Sequence, residues 1–198
     1  MSTGATSVRL PALSQAEFDV LGESVFCDDE IGIDWRVVES LPDEAELARR
    51  NLHNEKVLRA MALFEEHDQS PSDESERAEL HRLEGKIDLL LELVTVLVRD
   101  QRGGDQARNA RFNTRGLCWD STRQPPKSAL LDVDCYLLAQ WPLPLKLTAR
   151  IVEIAPARDG AQRVCSRIEG LSGPCRDWLG KLVFRRHRRS VALQRARK

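Results

Sequence analysis

Aromatic rings are scarce in this sequence: five Phe, four Trp and one Tyr among 198 residues. No basic stretch is interleaved with them, and no recognition helix is evident, which argues against sequence-specific reading of DNA. Long apolar runs are also missing. The longest, Ile87 to Val98, is broken by Asp88 and Glu92 and covers about a dozen residues where a bilayer span needs roughly twenty. The start, Met-Ser-Thr-Gly-Ala, has no basic residue leading into an apolar run, so no secretion signal is expected. The cysteines, Cys27, Cys118, Cys135, Cys165 and Cys175, are odd in number and contain no CxxC pair. A disulfide framework is disfavoured and a reducing cytoplasm is the expected compartment. Cys118 and Cys135 fall in strand-like runs and read as small core hydrophobes rather than nucleophiles.

The motifs of common chemistries are absent as well. There is no P-loop, no GxGxxG and no GxSxG elbow. The four histidines, His53, His67, His81 and His187, fall in helical segments without the i, i+4 carboxylate pairing of a metal site. They read as helix surface residues. We therefore expect no enzyme, no metal and no obligatory cofactor.

What is present is a core and an uneven charge. Hydrophobic residues make up 41% of the chain, enough for one compact domain, or a small domain with an appendage. The net charge of −1 conceals two opposed segments. Asp28 to Glu79 holds 16 acidic against 6 basic residues, and Arg176 to Lys198 holds 9 basic against one acidic. Such asymmetry points to self-association or to an acidic partner for the tail.

Local patterns divide the chain into three parts: an N-terminal segment with a first strand (1–41), a helical segment (42–103), and a β-rich remainder with a closing helix and basic tail (104–198). Gln15 to Leu21 reads as a short helical turn. Ile31, Ile33, Trp35 and Val37 alternate with polar residues and predict a half-buried strand. Pro42, followed by Asp43, Glu44 and Glu46, suits a helix start, and the helix should run from about Asp43 to Asp68 with Leu47, Leu58, Met61 and Phe64 as its stripe. A second helix should begin at Ser72 or Asp73 and stop at Gly103-Gly104. The runs Phe112 to Trp119, Leu130 to Leu138, Leu145 to Ile154 and Arg163 to Ile168 read as strands, with Asp159-Gly160 as a hairpin turn. Cys175 to Arg189 reads as an amphipathic helix carrying Trp178, Leu179, Leu182 and Val183.

The second helix carries a heptad. Leu80, Ile87 and Val94 occupy a positions, and Leu83, Leu90 and Leu97 occupy d, the pattern of a coiled coil. Leu89, Leu91, Leu93, Val96 and Val98 lie outside that seam. A two-stranded coil would leave them in water, where burial of each is worth roughly 1.5–3 kcal/mol. A bundle of several second helices, with the first helices packed outside, hides them. The expected state is a tetramer, with a dimer as the second choice and an intramolecular helical hairpin under the barrel as the competing arrangement.

The stretch from about Phe112 to Phe184, with the first strand near Ile31 to Val38, resembles a PilZ domain. The resemblance rests on Phe112-Asn-Thr-Arg-Gly-Leu-Cys-Trp, on Leu147-Thr-Ala-Arg-Ile-Val-Glu-Ile, and on Val164-Cys-Ser-Arg-Ile-Glu-Gly-Leu-Ser. It implies an α+β fold: an antiparallel β-barrel followed by a C-terminal helix, here interrupted by two long helices that form a coiled-coil oligomer. PilZ domains receive cyclic di-GMP through an RxxxR segment before the first strand and a D/N-x-S-x-x-G motif. Here Gly116 matches the Gly, Asn113 stands at the Ser position and Arg111 at the Asp/Asn position. Arg111 and Arg115 share the RxxxR spacing but lie within the second motif; Arg163 and Arg167, in a later strand, share the spacing too, which alternate strand residues produce by chance. Upstream there is only Arg9. The resemblance thus implies a candidate nucleotide site at Arg111, Asn113, Arg115 and Gly116 that binds cyclic di-GMP weakly or not at all.

The functional expectation is a non-catalytic bacterial adaptor in cyclic di-GMP signalling, in pilus, motility or virulence regulation, acting on an unidentified protein partner as a homo-oligomer. The alternative is a coiled-coil nucleic-acid-binding protein that uses Arg185-Arg-His-Arg-Arg, Arg195, Arg197 and Lys198 on phosphates. The bland reading of that tail, a solvated helix end whose arginines complement the dipole, is preferred.

Overall fold

A computed structural model of the chain describes residues 13–67, 87, 90, 94, 107–138, 141–157 and 160–196. The described elements, in chain order, are α1 (Gln15–Leu21), β1 (Cys27–Val38), α2 (Glu44–His67), β2 (Ala107–Phe112), β3 (Gly116–Ser121), β4 (Leu130–Tyr136), β5 (Leu145–Pro156), β6 (Gln162–Glu169) and α3 (Gly173–Ala196). The strands close an antiparallel barrel in the order β1-β2-β3-β6-β5-β4.

The long first strand makes closure possible. Its first half, Cys27 to Gly32, pairs with β2, and its second half, Gly32 to Val38, pairs with β4. Residues 39–106, α2 among them, therefore lie in the chain between two strands that are neighbours in the barrel. Alternation along β1 sends Ile31 and Ile33 into the core, whereas Val37, expected on the same face, is 50% exposed on the half of β1 that has β4 but no longer β2 beside it. In β5 the pairing slips between Ile151 and Glu153. That bulge ends the simple alternation, so Glu153 does not share the buried face of Leu147, Ala149 and Ile151.

The run expected as one strand from Phe112 to Trp119 is a hairpin, β2 and β3. Asn113 breaks it: its Oδ1 accepts from the backbone N–H groups of Arg115 (2.8 Å) and Gly116 (3.1 Å), which turns the chain back. The closing helix begins at Gly173 and runs to Ala196, beyond the expected Arg189. Ser172 caps it, its Oγ accepting from Cys175 N–H. Leu179, Leu182 and Val183 bury one face of α3 in the barrel core.

Backbone-directed side chains hold α2 to the barrel. Asp43 caps its first turn. Val57, Leu58 and Met61 enter the core. Asn54, 1% exposed, donates to Lys146 O (2.9 Å) and accepts from Lys146 N (2.8 Å), completing the β5 backbone where β6 does not reach. One turn earlier, Asn51 bonds Gly170 O and Ser172 N, and Arg50 pairs with Asp132. Gly170, at φ 72°, allows Leu47 Cδ2 within 2.7 Å of the place a Cβ would take.

Of the heptad residues, Leu80, Leu83 and Leu97 lie outside the described residues. Ile87, Leu90 and Val94 are helical and 46%, 61% and 45% exposed in the single chain. His53 and His187 are half-buried rather than surface residues, each bonding a backbone carbonyl, Pro144 O and Phe26 O. His81 is outside the described residues. Among the described residues, no group of His, Cys, Asp or Glu is arranged to hold a metal ion, and no helix is long and apolar enough to cross a membrane.

Candidate functional site

The β2–β3 hairpin brings Arg111, Asn113, Arg115 and Gly116 to one end of the barrel wall, and α1 lies across it. The short helix is defined by Ser14, whose Oγ accepts from Glu17 N while its own N–H donates to Glu17 Oε2 (2.9 Å), a reciprocal cap. Ala16, Val20 and Leu21 then face the wall. Gly22, at φ 67°, ends the helix by donating its N–H to Phe18 O.

Three of the four motif residues are consumed by this packing. Asn113, 1% exposed, donates Nδ2 to Leu21 O (2.9 Å) while its Oδ1 serves the turn. Gly116 lies under Val20, whose Cγ1 is 2.1 Å from where a Cβ would stand; no other residue fits there without moving α1. Arg111, 3% exposed, donates Nη1 to Glu17 Oε2 (3.1 Å) and Nε to Asp28 Oδ1 (2.7 Å), and its guanidinium stands 5.7 Å from the Phe26 ring.

Arg163 joins the same network from β6. Its Nε donates to Glu17 Oε1 (2.9 Å), and its Nη1 to Asp120 Oδ1 and Asn109 O. Burial alone would raise the Glu17 pKa, but the Ser14 backbone bond and the two guanidinium groups outweigh it and hold the carboxyl below its ordinary value. Burial is likewise outweighed at Arg163, whose pKa is raised by Asp120 and Glu17. Glu17 and Arg163 are therefore held in their charged forms, and the network locks α1 to β2 and β6.

Arg115 is the exception. It is exposed, its guanidinium lies over Gly22, and it borders an open groove with Phe18, Asp19, Glu23 and Ser24. Arg167, directly opposite Gly116 across the β3–β6 pair, is exposed too. The RxxxR-like pairs are thus split in function: in each, one arginine is internal and the other faces solvent. Arg9 lies outside the described residues. Sequence reasoning did not find Glu17, Asp28 or Asp120. The signal for Glu17 was there, since Ser14-x-x-Glu17 is a capping-box pattern; the long-range partners carry no local signature.

The basic tail is partly committed. Arg186 pairs with Asp29 and donates to Leu137 O, whereas Arg188, Arg189 and Arg195 are exposed.

No curated protein matches the chain. Among solved structures it is similar to a pathogenic protein from Xanthomonas campestris, described as a tetrameric PilZ domain self-assembled via an unusual helical bundle, at 21% identity and a TM-score of 0.65 over 89% of this chain and 95% of that one. That likeness establishes the fold. The family model for the atypical PilZ domain, a cyclic di-GMP receptor, matches residues 58–197. Barrel order, closing helix and this match agree: the chain belongs to the atypical PilZ domain family.

Proposed function

We propose that this protein is a non-catalytic adaptor in cyclic di-GMP signalling that binds the nucleotide weakly or not at all at its motif and works through protein contacts. The observation that carries this reading is the burial of the motif beneath α1. Arg111 is spent on Glu17 and Asp28, Asn113 on Leu21, and Gly116 is covered by Val20. A ligand phosphate would have to compete for Arg111 with the buried Glu17 and the exposed Asp28, and charge-assisted bonds are worth about 1.5–3 kcal/mol each, the exposed one less. The residues at the motif therefore do not fit the nucleotide while α1 is docked. Among the described residues, Arg115 and Arg167 offer exposed guanidinium groups nearby. Calorimetric titration of the full chain with cyclic di-GMP tests the reading. No measurable heat of binding at micromolar concentrations is expected, and a micromolar or tighter Kd would overturn it.

The adaptor works as an oligomer, a tetramer assembled through the heptad helix. Supporting this, Ile87, Leu90 and Val94 are helical and about half exposed in the single chain, and the Xanthomonas protein of the same fold is described as a tetramer built by a helical bundle. Multiple copies raise avidity for a clustered partner without new contacts. Light scattering at dilute and concentrated loading reads this directly; a lone 22.4 kDa particle at both would sink it.

A further inference from the structure

Of the five cysteines, two face each other. Cys118 on β3 and Cys165 on β6 are direct partners in the strand register, whereas Cys27 and Cys135 oppose Phe112 and Leu145 and Cys175 lies in α3 with its thiol on Asn51 O. Directly opposed residues of an antiparallel pair have Cα atoms about 4.5 or 5.5 Å apart, and both spacings fall in the range a disulfide spans. Both side chains belong to the same buried cluster on the outer face of the wall.

Their position is also unusual. Leu117 and Trp119 on either side of Cys118 point into the barrel core, so Cys118 points outward. It and Cys165 are buried, at 0% and 1% exposure, because Ala16, Val20 and Leu21 of α1 lie over them, flanked by Leu13 and Phe26. The dithiol is thus on the outer face of the wall with α1 above it. With α1 down, the neighbouring Cys165 thiol and burial push the Cys118 thiol far up, and it is inert. With α1 up, Ala16, Val20 and Leu21 no longer cover the sulfurs, and Phe26 is left at their side. A seven-residue helix has little stability of its own and depends on the Glu17 network and three apolar side chains, so it opens more readily than the barrel unfolds.

We propose that Cys118 and Cys165 are a redox modification site, a dithiol that closes to a cross-strand disulfide when α1 lifts, with a peroxide as oxidant. One thiolate sulfur attacks the O–O bond, taking one oxygen as a sulfenic acid and releasing hydroxide, which leaves as water. The second sulfur attacks the sulfenic sulfur, the S–O bond breaks, and a second water departs. The sulfurs lose two electrons and the peroxide gains them. The site is independent of whether nucleotide binds.

The experiment uses the full chain. Protein is exposed to hydrogen peroxide, quenched with N-ethylmaleimide, digested and mapped by mass spectrometry. A peptide pair linked Cys118 to Cys165 and lighter by two hydrogens is expected, reversible with dithiothreitol. Glu17→Gln, which weakens the hold of Arg111 and Arg163 on α1, should speed formation of the link about tenfold, since about 1.4 kcal/mol of lost anchoring is a factor of ten. Cys165→Ser should abolish the link and leave Cys118 free to label only slowly. Peroxide that consumes other thiols without ever linking this pair overturns the proposal; a link that forms at the same rate in Glu17→Gln overturns the role of α1 as its gate. Circular dichroism of each variant establishes that the barrel is intact.

Discussion

Gly116 and Val20 offer the most direct test of whether α1 sits on the motif. A Cβ at position 116 would stand 2.1 Å from Val20 Cγ1, with Ser166 O at 3.0 Å and Val20 O at 3.2 Å. Val20 is fully buried, so it cannot swing into solvent, and the clash must be met by shifting α1. Overpacking of this kind costs about 1–3 kcal/mol. Val20→Ala removes two buried methyl groups and should cost about 2 kcal/mol by itself. If the two residues were independent, the double variant would lose about 4 kcal/mol, the sum of about 2 from each. They are not: Val20→Ala deletes the atom that Gly116→Ala strikes, so the pair should be about 1 kcal/mol or more less damaging than the sum, with Ser166 O and Val20 O keeping the relief incomplete. Urea denaturation of the four proteins, followed by circular dichroism, measures the cycle, and hydrogen exchange at the amides of residues 15–22 shows where the loss falls. Additivity within about 0.3–0.5 kcal/mol would refute the packing of α1 on the motif.

Asn54→Ala strips two bonds from a dry strand edge and strands Lys146 N–H and C=O; with about 1 kcal/mol per lost bond and 1–3 for a buried group left unpaired, the loss should be about 2–4 kcal/mol, read as a fall in urea midpoint. A loss under about 0.5 kcal/mol would show that α2 is held by its apolar face alone. Glu17 and Asp132 both have pKa values held below their ordinary ones, in each case because bonds from arginines (and Ser14 for Glu17) outweigh burial. A lowered carboxyl stabilises fully above the unfolded pKa and ceases to do so as pH falls through the folded one. Stability should therefore be level above about pH 5 and fall below about pH 4, with a shallower fall in Glu17→Gln; identical slopes would count against the network. Leu90→Asp places a carboxylate on the exposed heptad face and should dissociate the oligomer, since burying it unpaired at an interface is costly; unchanged mass by light scattering would remove this helix from the assembly.

Local pattern made much of the barrel legible. The β1 alternation, the 145–154 run and the amphipathic helix from about Cys175 each reflect a rule that acts within a few residues. Even α1 was marked, to the residue, by its bounds Gln15 and Leu21. The misreadings occur where one side chain overrode the pattern. Asn113 turned a single apparent strand into a hairpin by spending its amide on the backbone.

The sequence by itself determined the element types, the heptad face and the departure of Arg111 and Asn113 from the family motif, because periodicity and residue identity are properties of the chain. Only the tertiary structure decided what those departures mean. That Arg111 answers to Glu17, that Asn113 holds Leu21, and that Cys118 faces Cys165, 47 residues further along the chain, all depend on strand register. Register arises from closing the barrel, a condition on all six strands at once, and no short window of residues contains it.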